Sequence, residues 1–187
     1  KYANRADLFE GLSIWQDETY RKLQGTYPVI FLSFAAVKAG NLEDAKTQIK
    51  QEITRLYWEN RNLMKEDIFG EDERELYYRT TVKMDDVTAQ DSLRNLSVWM
   101  ERYYGKKVII LLDEYDTPMQ EAYVQGYWDE FTSFVRSLFN ASFKTNPYLE
   151  RAIMTGITRV SKESIFSDLN NLRVVTTTSN LYADCFG

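Results

Sequence analysis

The stretch Lys107-Val108-Ile109-Ile110-Leu111-Leu112-Asp113-Glu114-Tyr115-Asp116 decides the fold. Its five successive apolar residues, Val108 to Leu112, have no polar alternation. They read as a strand buried on both faces, as in the parallel sheet of an α/β protein. Asp113 and Glu114 follow at once, with Asp116 just beyond. The carboxyl end of such a strand is where open α/β sheets hold their ligands. An ordinary alternative stands beside that reading: the chain reaches water there, and Asp116 or Thr117 caps the next helix.

Working outward, the flanking segments alternate between strand and helix patterns. Upstream, Pro28 leads into Val29-Ile30-Phe31-Leu32-Ser33-Phe34, a short apolar run that reads as a buried strand. Asn41 is placed to cap a helix with Leu42, Ala45, Ile49, Ile53 and Leu56 on one face, and Glu43 and Asp44 favour its positive end. The acidic run 71–75 reads as a solvated helix start. A second helix is expected over about residues 88–104, with Leu93, Leu96, Met100 and Tyr103 on one face and Gly105 closing it. Downstream, Thr117 is expected as an N-cap, with Pro118 at the first helical position and Gln120 three residues after the cap. A longer helix, about 127–144, carries Phe131, Phe134, Val135, Leu138 and Phe139. Residues 151–156 read as a third strand ending in Gly156, and 173–178 as a fourth. Strands alternating with helices predict one α/β domain with a mostly parallel, helix-flanked sheet.

Composition narrows the chemistry. The chain has 187 residues, 44% hydrophobic and 27% charged, enough for one domain with a real core. A net charge of −5 gives no global field for nucleic acid. The chain has no His and one Cys, Cys185, so Ser–His, Cys–His and zinc chemistry are excluded within it, as is an internal disulfide. Catalysis here must run on carboxylates, Lys, Arg, Tyr and hydroxyls. No apolar run approaches the ~20 residues that span a bilayer. The expected location is the cytoplasm, with no membrane partner.

Four blocks carry a resemblance: Leu8-Phe9-Glu10-Gly11-Leu12; Tyr27-Pro28-Val29-Ile30; residues 105–118, with Asp113-Glu114-Tyr115-Asp116-Thr117-Pro118 at their end; and residues 155–172, opening Thr155-Gly156-Ile157-Thr158-Arg159. In this order they resemble the bacterial AAA-ATPase-like proteins, over essentially the whole chain. The order of elements is similar to strands two, three and four of the additional-strand division of P-loop NTPases. The resemblance implies ATP and Mg²⁺ as cofactors. Val108 to Glu114 would be the Walker B strand, in which Asp113 holds the metal through water and Glu114 activates the attacking water. Thr155 would be the sensor at the γ-phosphate, and Arg159, with Lys162 nearby, would meet phosphate.

The family's phosphate loop, ending Gly-Lys-Ser/Thr, is absent from these residues. Family members carry it upstream of the Leu-Phe-Glu-Gly block and usually end in a PD-(D/E)XK nuclease-like domain. The chain is therefore expected to be an internal, partial ATPase domain (1–187) lacking the P-loop strand and inactive alone. It would meet nucleotide through the missing loop, and nucleic acid only through a domain outside these residues. The alternative is a non-catalytic regulatory or oligomerisation module that self-associates or positions a nuclease. A nuclease centre within the chain needs a Lys two residues past an acidic strand residue, which Asp113-Glu114-Tyr115 does not offer.

Overall fold

The computed structural model describes residues 3–157, 166, 169 and 171–176. Among them lies a three-stranded parallel sheet in the order β1-β2-β3. Its strands are β1 (Val29–Ser33), β2 (Val108–Asp113) and β3 (Leu149–Met154). The opening stretch is the central strand, paired to β1 from Val29↔Ile109 to Ser33↔Asp113 and to β3 through Leu112↔Met154. The α/β class and the parallel, helix-flanked sheet expected from the sequence are both present.

Six α-helices accompany the sheet among the described residues: α1 (Glu18–Arg21), α2 (Leu42–Glu59), α3 (Glu71–Arg79), α4 (Asp86–Tyr104), α5 (Thr117–Gln125) and α6 (Trp128–Phe139). Their ends follow local chemistry. The Asn41 side chain accepts from the Asp44 N–H and the Asp85 side chain from the Thr88 N–H, each satisfying an orphan donor of a first turn. Gly105 closes α4 in the left-handed conformation at φ 67°. The helix begins two residues before the expected start, because Asp85 rather than a later residue is the cap.

The apolar stripes of α2, α4 and α6 converge on one core. Ile49, Ile53, Leu93, Leu96, Phe131 and Leu138 are fully buried with Ile30 and Ile110 of the sheet. Each such side chain contributes roughly 1.5–3 kcal/mol on leaving water. Tyr103, expected on the apolar face of α4, is instead exposed. The long helix expected over 127–144 ends as α-helix at Phe139, and a π-turn, Asn140–Lys144, carries the chain on to β3. The charged segment 60–87 is packed: Leu63, Met64, Phe69, Tyr77 and Met84 are buried. The Tyr77 hydroxyl donates to the Tyr57 carbonyl, and the Tyr57 hydroxyl donates to the Ser92 carbonyl over 2.7 Å.

Two expectations are corrected. β2 is not buried on both faces, for its residues alternate between buried Val108, Ile110 and Leu112 and half-buried Ile109 and Leu111. The second face continues on the neighbouring strands, where Val29 is 46%, Phe31 57% and Ile153 53% exposed. The helices cover one side of the sheet; its other side is apolar yet open among the described residues. Residues 173–176 form no strand, and 177–178 lie outside the described residues. Thr-rich local propensity does not make a strand without a neighbour to pair with.

Candidate functional site

The strand register brings the site together. Ser33 pairs with Asp113 at the carboxyl ends of β1 and β2. Thr155 follows the last residue of β3, and its N–H donates to the Leu112 carbonyl over 2.9 Å. Hydroxyls from both neighbours therefore reach the carboxylate on the middle strand. Thr155 Oγ1 donates to Asp113 Oδ1 at 2.6 Å, and Ser33 Oγ to Asp113 Oδ2 at 3.4 Å. The first contact is short and charge-assisted; the second is at the long limit of a hydrogen bond. The sequence pointed to Asp113 and Thr155 together. Ser33 was overlooked, although a lone hydroxyl closing the apolar run 29–32 was the available signal.

Glu114 lies in a held, strained backbone position. Its φ of 50° makes it the one non-glycine residue with positive φ among the described residues. That conformation is costly for a residue with a Cβ and persists where the surroundings enforce it. Here the Tyr115 N–H donates to the Thr155 carbonyl at 3.1 Å and the Thr117 N–H to the Glu114 carbonyl at 3.2 Å. The Glu114 side chain accepts from the Thr117 hydroxyl, Oγ1 to Oε2, at 3.0 Å.

The ordinary explanation for Asp116 holds in position but not in bonding. Asp116 is the N-cap residue of α5, but its side chain makes no cap hydrogen bond. It is 1% exposed, and its Oδ2 accepts from Gln120 Nε2 at 3.1 Å. The expected capping pattern is thus displaced by one residue: Asp116 takes the cap position, and Thr117, the expected cap, is the first residue of the helix. Gly156 explains how β3 ends so close to this turn. A Cβ at Gly156 would stand 2.5 Å from Asp116 Oδ1 and 2.9 Å from Tyr115 Cε1. Phe166 sets its ring edge-on to Tyr115, centroids 5.4 Å apart. Arg159 and Lys162 lie outside the described residues, as does Cys185.

A concavity of about 180 Å³ opens beside the carboxylate, lined by Phe31, Leu111, Leu112, Asp113, Ile153 and Thr155. Small-molecule pockets are generally larger, roughly 300–1,000 Å³. Among the described residues no three His, Cys, Asp or Glu side chains are grouped to hold a metal ion. Mg²⁺ does not require such a group, since it keeps much of its water and takes one or two carboxylates beside phosphate oxygens. Each Asp113 oxygen has a second lone pair beyond its hydroxyl contact, so the all-oxygen donor set fits that cation.

A sequence model described as a predicted AAA-ATPase family matches residues 1–166. The chain belongs to this AAA-ATPase-like family. It is also similar to a protein of Azotobacter chroococcum mcd 1, an uncharacterized protein in the vnfD 5' region, at 30% identity over 82 residues. That alignment covers 43% of this chain and 16% of the relative. No solved structure matches the chain. The family's description suggests nucleotide binding, and no helix among the described residues is long and apolar enough to cross a membrane.

Proposed function

We propose that this chain is the Walker B and sensor part of a P-loop-type, Mg²⁺-dependent ATPase domain. In this reading Asp113 holds the metal through water and Glu114 accepts a proton from the attacking water. Thr155 orients Asp113 from the sensor position, and Arg159 meets phosphate. The observation that carries it is the 2.6 Å contact from Thr155 to Asp113, which joins two strand ends beside the strained Glu114. A strand end that only reached water would need neither the cross-strand hydroxyl nor the positive φ. Bound Mg²⁺ supplies charge neutralisation at the transferring phosphoryl group. The protein's own share is to fix the carboxylates and to accept the proton.

The same reading makes the chain a partial domain. β3 has an unpaired outer edge among the described residues, and the face bearing Val29, Phe31 and Ile153 lacks a cover there. An upstream segment carrying a Gly-Lys-Ser/Thr loop would add its strand to that edge and its helix to that face. It would also complete a pocket that is now too small for a nucleotide. Residues 1–187 alone are then inactive. Calorimetric titration of residues 1–187 with Mg-ATP is expected to give no binding in the sub-micromolar range; a sub-micromolar Kd would refute the partial-domain reading.

A further inference from the structure

We propose that Thr117 is a positioning residue for Glu114, holding the carboxylate in place for proton transfer; this rests on the ATPase reading above. Glu114 follows the metal-side Asp113 on a backbone pinned at both ends. Tyr115 is tied to Thr155, and Thr117 to the Glu114 carbonyl. What remains free in Glu114 is the side chain, whose rotamers would carry the carboxylate through several ångströms. Its hydrogen bond from the side chain of Thr117, at 3.0 Å, restrains that motion. A threonine hydroxyl has one proton to give, and here it goes to Glu114 rather than to a helix carbonyl.

The donor itself sits on a rigid support. Thr117 is the first residue of α5, which is anchored by fully buried Met119 and Ala122. Thr117 is itself half-buried, and Pro118 behind it fixes the start of the helix. A proton acceptor held from a packed helix keeps its geometry better than one on a free loop. A purely local role for this contact, bracing the turn, makes a different prediction, because bracing matters whether or not residue 114 can accept a proton.

The test uses the protein extended to include the phosphate loop that the proposed function requires. Thr117→Val keeps the shape and removes the donor. It is expected to lower kcat about tenfold, within the range for partners that orient a reacting group, with KM for ATP unchanged. Thr117→Ser should restore kcat. In a Glu114→Gln background, Thr117→Val should change the residual rate no further, as for two groups acting as one unit. Wild-type kcat in Thr117→Val, or equal losses in both backgrounds, would overturn the proposal and leave the ATPase reading standing. Undiminished turnover in Glu114→Gln alone would bring down both.

Discussion

The hydroxyl of Thr155 donates to Asp113 across two adjacent strands, Oγ1 to Oδ1 at 2.6 Å, and the Thr155 carbonyl accepts from the next turn at Tyr115. One residue at the end of β3 therefore fixes both the side chain of Asp113 and the backbone just after Glu114. Thr155→Val removes the first restraint and keeps the second. Because Asp113 is only half-buried, the expected loss of stability is small, about 1 kcal/mol or less. If Asp113 holds Mg²⁺ as proposed, the loss of ATP turnover in the full-length protein should be roughly 10- to 100-fold, the range for groups that orient a metal ligand. Thr155→Ser should retain most of it. Paired thermal melts and turnover assays separate the two effects.

Gly156 is needed for space rather than for a left-handed backbone. A methyl group there meets the buried Asp116 carboxylate at 2.5 Å. Asp116 has little room to retreat, being 1% exposed and tied to Gln120. Gly156→Ala is expected to cost about 1–3 kcal/mol by overpacking. It should also displace the turn that carries Glu114. Chemical denaturation of the variant checks the first effect, and its kcat in the full-length protein the second.

Acid should weaken the junction of α2 and α4. Asp86 is bound by Lys46 Nζ at 2.8 Å and Lys50 Nζ at 2.7 Å. Burial pushes the Asp86 carboxyl up, but the hydrogen bonds and charges of the two lysines outweigh it and hold it below the usual carboxylate range. A lowered folded value means stability that is present above the unfolded aspartate value of 3.8 and lost as pH falls through the folded one. The carboxylate is 40% exposed, so solvent screening keeps the contribution to about 1 kcal/mol or less. Asp86→Asn should destabilise the protein at neutral pH, and the gap to wild type should close as pH falls below that aspartate value. Denaturant midpoints across the acid range measure this.

The sequence was most informative where chemistry is local. Asn41, with its oxygen aimed at the Asp44 N–H, and Gly105, in its left-handed cap, mark helix ends by their own side-chain properties. The strand at Val108 to Leu112 was equally plain, while its place between β1 and β3 came from the structure. Its burial was not. Five apolar residues in a row carry no period-two signal, so they cannot say which face the helices cover, and Phe31 and Ile153 stay open. The cap of α5 was misplaced for a similar reason. Asp116 and Thr117 both suit a cap; Asp116 takes the position without a side-chain cap bond, and the Thr117 hydroxyl donates to Glu114 instead. Ser33 was overlooked because its meaning depends on register, which sets it beside Asp113 across 80 positions of sequence.

The most direct test of the central claim is ATP retention by Glu114→Gln in the full-length protein, measured with Mg²⁺ and radiolabelled ATP on rapid filtration. On the proposed reading the amide cannot accept the proton of the attacking water, while Asp113 and a phosphate loop outside these residues would be left untouched. The predicted result is ATP bound with near-wild-type affinity and recovered unhydrolysed. Loss of ATP binding would make Glu114 a structural residue, and turnover at the wild-type rate would contradict the role assigned to it.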